Sequence, residues 1–262
     1  MKKLQIKKTA DGRTMLNLGC GNRIHKEWNN LDFLKSEKQT GVISYNILKG
    51  IPFPANTFEG VYHSNFLEHL DREEGERFIM ECYRVLKNGG TLRMVVPDLE
   101  LLAKEYLKAL KLNNNKKQEY EFAKINLIDQ MTRTKIGGYL GDFLRDPKNR
   151  DFLIKKMGRS NVDYYTLQKN VSTNKRKLLF MIKMILEKIE IKENTPKNTG
   201  ELHKWMYDRY SLTLLLKKCG FKNCKVVEYN KSRIKNWNNY FLDMNLDGSK
   251  YKIDGLFMEA VK

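Results

Sequence analysis

Met15-Leu16-Asn17-Leu18-Gly19-Cys20-Gly21 decides how the rest of this chain is read. A short apolar run ends abruptly in two glycines one residue apart. Near-continuous apolar runs mark buried parallel strands. Glycines after such a strand let the backbone turn tightly and approach a ligand with no Cβ in the way. In an open α/β sheet, ligands bind at that carboxyl edge. The stretch therefore predicts a strand feeding a turn that holds a nucleotide-like cofactor near Gly19 and Gly21.

Working outward, a dinucleotide fingerprint would need a third glycine and an acid about 20 residues on. Here Gly21 is followed by Asn22, Arg23 and Ile24, and the first acid is Asp32, closing Trp28-Asn29-Asn30-Leu31-Asp32. Both features argue against a dehydrogenase. A third apolar segment, Gly41-Val42-Ile43-Ser44-Tyr45-Asn46, ends in an amide. Then come Ile51-Pro52-Phe53, the strand-like Gly60-Val61-Tyr62-His63-Ser64, and Asn65-Phe66-Leu67-Glu68-His69-Leu70. A helix pattern over 73–86 stops at Lys87-Asn88-Gly89-Gly90, and Thr91-Leu92-Arg93-Met94-Val95-Val96 reads as a strand ending at Pro97-Asp98. Strands alternating with helices build βαβ units and a parallel sheet.

These segments, in this order, resemble class I S-adenosylmethionine-dependent methyltransferases, of the branch associated with small molecules. The likeness rests on Leu16-Asn17-Leu18-Gly19-Cys20-Gly21, Asp32, Ile51-Pro52-Phe53, Phe66-Leu67-Glu68-His69-Leu70 and Arg84-Val85-Leu86-Lys87-Asn88-Gly89-Gly90. His203-Lys204-Trp205-Met206-Tyr207-Asp208 and the stretch from Leu212 to Gly220-Phe221 add to it. The resemblance implies an α/β three-layer sandwich with a mostly parallel seven-stranded sheet, its last strand antiparallel. It implies S-adenosyl-L-methionine as cofactor. Asn17, Gly19, Cys20, Gly21, Asp32, Asn46, Phe66 and Leu67 are then the cofactor-binding candidates, with Asp32 accepting from the ribose hydroxyls. Three positions depart from the pattern: Asn17 and Asn46 stand where acids are usual, and Arg23 where a third glycine is common. Asn still offers both a donor and an acceptor, so these changes weaken charge attraction to the cofactor more than they remove its site. They also motivate a catalytically inactive cofactor-binding protein as an alternative.

The bulk numbers bound the class. At 262 residues, with 41% hydrophobic and 31% charged, the chain can bury a sizeable core. The amino terminus lacks an apolar h-region, and no apolar run approaches a membrane-spanning length, so a cytoplasmic location is expected. Cys20, Cys82, Cys219 and Cys224 form no C-x-x-C pair. They read as reduced thiols, with no metal site. Net charge is the outlier, 49 basic against 31 acidic residues, or +18. The lysines are spread along the chain, with no RNA-binding signature, so a specific nucleic-acid partner is not expected. RNA methylation stays as the alternative that the charge motivates.

After Leu110 the strand alternation is lost, and 107–200 reads as a helical insertion, too long for a plain loop. The expected organisation is a methyltransferase domain over 1–106 and 201–262, with 107–200 as a helical cap. Within the insertion, 175–189 is a basic, apolar helix pattern. Its apolar side would pack on the body or on a second subunit of a homo-oligomer. The competing reading is weak peripheral contact with an anionic membrane.

Methyl transfer to a hydroxyl needs the acceptor to lose a proton, and histidine suits that task near neutral pH. Of His25, His63, His69 and His203, His69 follows the fourth strand and His203 opens the re-entry motif. These two, with Asp98, are the catalytic candidates, Asp98 reading equally as a helix N-cap. The expected acceptor is a small molecule or glycan precursor, such as one used in polysaccharide biosynthesis, methylated at oxygen.

Overall fold

The computed structural model describes residues 4–33, 40–112, 116–167 and 201–262. The basic stretch 175–189 lies outside the described residues. The chain divides into two compact units, Met1–Asp98 with Trp205–Lys262, and Leu99–Lys204.

The first unit is built on a seven-stranded sheet. Its strands are β1 (Met15–Leu18), β2 (Asn29–Asp32), β3 (Val42–Ser44), β4 (Phe58–Ser64), β5 (Leu86–Pro97), β6 (Lys222–Val226) and β7 (Gly255–Val261). The order is β3-β2-β1-β4-β5-β7-β6. The first five strands run parallel, and β7 pairs antiparallel with both β5 and β6. This is the sheet the sequence implied. The chain reverses direction across β1, with β2 on one side and β4 on the other, so β1 sits at a topological switch point.

Side chains alternate across each strand, and the two faces carry separate cores. Leu16, Leu18, Val61, Leu92, Met94, Val96, Leu256, Met258 and Ala260 face helices α1 (Arg72–Val85) and α7 (Arg209–Lys218), packing on Phe78, Ile79, Cys82, Leu212 and Leu216. Asp71 caps α1 through a reciprocal hydrogen-bond pair with Glu74, and Asp208 caps α7 in the same manner with Ser211. On the other face lie Met15, Tyr62, Val95 and Phe257, covered by Trp28, Ile234, Trp237, Tyr240 and Leu242. That layer holds one short 3-10 helix, Trp237–Tyr240. No helix separates β1 from β2; a turn over 19–28 crosses between them.

A buried ion cluster pins this layer to the sheet. Arg93, wholly buried on β5, donates to Asp243 at 2.8 Å and to Glu259 at 2.9 Å. It also donates to the carbonyls of Glu228, Tyr229 and Lys231, and its guanidinium lies 4.3 Å from the Trp237 ring centroid. Tyr62 completes the cluster, its hydroxyl donating to Asp243 at 2.6 Å. Every acid here has a donor, the condition under which buried charge is tolerated.

The second unit is helical among the described residues: α2 (Leu99–Leu110), α3 (Lys117–Thr132), α4 (Gly138–Arg145), α5 (Arg150–Met157) and α6 (Arg159–Leu167). Phe122, Phe143 and Phe152 stack edge to face or tilted at its centre, with centroids 5.7–6.1 Å apart. Asp129 of α3 accepts the Tyr139 N–H at 2.7 Å and so caps α4 from a neighbouring helix.

Candidate active site

The carboxyl ends of β1, β2, β3, β4 and β5 gather most of the expected site residues on one edge of the first unit. Gly19 and Gly21 both adopt positive φ, +60° and +49°. Gly19 has a second reason to lack a side chain, because a Cβ there would lie 2.6 Å from Phe66 Cδ2. Around Gly21 a Cβ would meet nothing within 4 Å, so that side of the turn is open.

Asp32 closes the turn. Its Oδ2 accepts the Gly21 N–H at 2.8 Å, while the Cys20 N–H donates to the Leu31 carbonyl at 3.1 Å. The Tyr45 N–H donates to the Asp32 carbonyl at 2.9 Å, which brings the end of β3 alongside. Cys20 itself is buried, and its thiol is pushed up to about 12, first by burial and then by the charge of Asp32. It stays protonated and is no nucleophile.

Asn17 is buried, and both amide hydrogens are used inside the turn. They go to the Arg23 carbonyl at 2.8 Å and to Asn30 Oδ1 at 3.1 Å. Asn30 in turn donates to the carbonyls of His25 and Trp28. These asparagines hold the crossing from β1 to β2 in place of a helix. Arg23 reaches outward: it donates to the carbonyls of Phe241 and Met244, to Asn245 Oδ1 at 2.7 Å, and stacks 3.7 Å from the Tyr251 ring centroid.

Asn46 caps the 3-10 turn Ile47–Lys49, its side chain accepting the Leu48 N–H at 3.0 Å. Phe66 lies on the glycine turn and 4.8 Å from the Phe78 ring. Leu67 is wholly buried and joins the helix-side core. His69 ends the 3-10 turn Leu67–His69 after β4. Asp98 follows β5, pairs in a parallel bridge with Tyr207, and takes its N–H to the Asp254 carbonyl at 2.9 Å. His203 belongs to the second unit, where its N–H donates to the Gln130 carbonyl at 2.9 Å.

Two features of the edge escaped the sequence reading. One is Arg23, treated there only as a missing glycine. The other is Glu68, a wholly buried acid between Leu67 and His69. Its signal was visible as a lone charge beside two apolar residues of a turn.

An open glycine turn with positive φ, backed by an anchored carboxylate after β2, fits a cofactor with a ribose diol. Gly19, Gly21 and Asp32 would hold it. Residues 27–94 match the family model described as a methyltransferase domain. No curated protein matches the chain. Among solved structures, the chain is similar to a methyltransferase dependent on S-adenosylmethionine from Archaeoglobus fulgidus, at 15% identity and TM-score 0.40, covering 95% of this chain and 86% of that one. A second from Methanosarcina mazei aligns at 18% identity and TM-score 0.42, covering 99% and 94%. A third from Mesorhizobium loti aligns at 15% and 0.41, covering 99% and 94%. Likenesses of that size do not carry the assignment. The strand order and the matched segment do: the protein is a methyltransferase, and its cofactor is S-adenosylmethionine.

Proposed function

We propose that the acceptor is a small molecule or glycan precursor, methylated at oxygen. The observation that supports this most is the placing of His69 and Asp98 after β4 and β5, on the edge that carries the glycine turn. A hydroxyl must lose its proton as it is methylated, and both are proton acceptors next to the cofactor edge. His203, in the second unit, remains a third candidate. When bound, the cofactor supplies an electrophilic methyl group, and the protein's part is orientation and electrostatics. In this reading Gly19, Gly21 and Asp32 hold the cofactor.

The net charge of +18 favours a second reading, methylation of RNA. One experiment separates them. The protein is incubated with methyl-labelled cofactor and with small-molecule, RNA and protein fractions of a cell extract. The proposal expects label in the small-molecule fraction, as a methyl ether. Label at a defined position in purified RNA would replace it with the second reading.

A further inference from the structure

Glu68 sits in the 67–69 turn after β4, wholly buried, and neither of its carboxylate oxygens has a hydrogen-bond partner among the described residues. Its backbone is fixed, since its carbonyl accepts the Trp205 N–H at 3.2 Å. The side chain is thus only weakly compensated, which costs free energy in any folded protein. Burial pushes this carboxyl up to about 8. Within the first unit, its own backbone N–H, Lys252 and the Asn65 side chain favour its ionisation and Asp254 opposes it, without offsetting the burial. Tyr207 lies close enough for Glu68 to raise its hydroxyl further, with Arg72 opposing, and His69 follows on the same turn. A ligand that brought a cation to this place would complete the compensation of the acid by ionising it.

The edge says which ligand. β2 and β4 flank β1 on opposite sides, and the Phe66 ring lies against Gly19. A cofactor with its ribose at Asp32, crossing the glycine turn, reaches the 66–68 turn with its far end. The methionine end of S-adenosylmethionine is cationic, through its α-ammonium and its sulfonium. We propose that Glu68 is the buried counter-charge to that cationic end. This rests on the reading that puts the ribose at Asp32. It also explains how the edge manages with amides at Asn17 and Asn46, whose side chains are engaged in the turn and in a cap. On binding, the Glu68 O–H bond breaks, the proton passes to solvent, and the electron pair stays on the carboxylate facing the cation.

Calorimetry of the full chain tests this without any acceptor. Binding of S-adenosylmethionine and of S-adenosylhomocysteine is measured at pH 6 in buffers of different ionisation enthalpy, which counts protons released. About one proton should leave, and affinity should rise about tenfold between pH 5.5 and 6.5. An α-amino group stays charged over that range. Glu68→Gln should abolish both the release and the pH dependence. Release with both ligands assigns the α-ammonium as the partner; release with S-adenosylmethionine alone assigns the sulfonium. Binding without release, or release unchanged in the variant, overturns the proposal and leaves the cofactor site standing. A parent protein that binds neither ligand overturns both. The proton count is read on the parent, so it decides even if the variant does not fold.

Discussion

Asn17 turns on which atoms a side chain can donate. The family resemblance expects an acid there, yet the two groups facing its amide nitrogen are oxygens, the Arg23 carbonyl and Asn30 Oδ1. A carboxylate can only accept. Asn17→Asp, nearly the same shape, should therefore destabilise the first unit by about 3 kcal/mol or more, the loss of two donors plus a buried charge facing oxygens. The urea midpoint at pH 7 measures it, and an unchanged midpoint would show that the turn does not depend on this amide. His63 poses the reverse problem. It is wholly buried on β4, 5.1 Å from the Phe78 ring, with neither ring nitrogen hydrogen-bonded, and burial pushes it down to about 3 from an ordinary 6.5. Its folded pKa is depressed, so the unfolded chain takes up the proton first. Its contribution to stability is complete above pH 6.5 and is lost as pH falls towards 3. His63→Leu removes this loss, so the melting temperature of the variant relative to the parent should rise as pH falls from 6.5 to 4.5. Glu68, raised to about 8, acts in the opposite sense, costing stability as pH rises from 4.5 to 8, so the comparison with the variant is what isolates His63. At this scale the sequence exposed the type of each residue but not its partner. Asn17 and Asn30 meet only because β1 and β2 pair in register.

Strands β1, β4 and β5 were legible because their side chains alternate or run apolar, a local property. The sheet-edge acid, the glycine turn and helix α1 followed from the same kind of signal. The layer built from 228–251 was not. Residues 230–253 read as a loop or hairpin, and they hold the 3-10 helix Trp237–Tyr240 and an isolated antiparallel bridge between Met244 and Lys250. What fixes the layer is contact with residues far away in sequence, Arg93 with Asp243 and Glu259 above all, and no spacing rule finds such pairs. Arg23 belongs to the same class of contact. It ties the glycine turn to 241–251 through three hydrogen bonds and a stacked ring. Arg23→Gly would restore the residue common at that place in the resembled family. Here it should cost about 1–3 kcal/mol, the range for hydrogen bonds to a charged group. Amide exchange in 241–251 should speed up, while the α1 face keeps its protection. Unaltered exchange in that segment would mean that Arg23 is not what holds it.

At the scale of the whole molecule, no helix among the described residues is long and apolar enough to cross a membrane. The loss of alternation led to the expectation of a helical insertion over 107–200; the second unit runs over Leu99–Lys204, and α2 (Leu99–Leu110) lies in it ahead of the polar break at 113–115. The acceptor stayed illegible in the sequence, because a methyl acceptor is recognised by the shape of a pocket and not by a motif. The cofactor was legible, because a glycine turn and an acid after β2 are local marks of backbone approach and ribose recognition. The account therefore turns on one edge of one sheet. Titration calorimetry with S-adenosylhomocysteine on the parent and on Asp32→Ala tests it most directly. One site per chain should appear in the parent, and the variant should bind about 1.5–3 kcal/mol more weakly, with its fold unchanged by circular dichroism. No binding by the parent, or equal affinity in Asp32→Ala, would contradict the claim that this edge holds the cofactor.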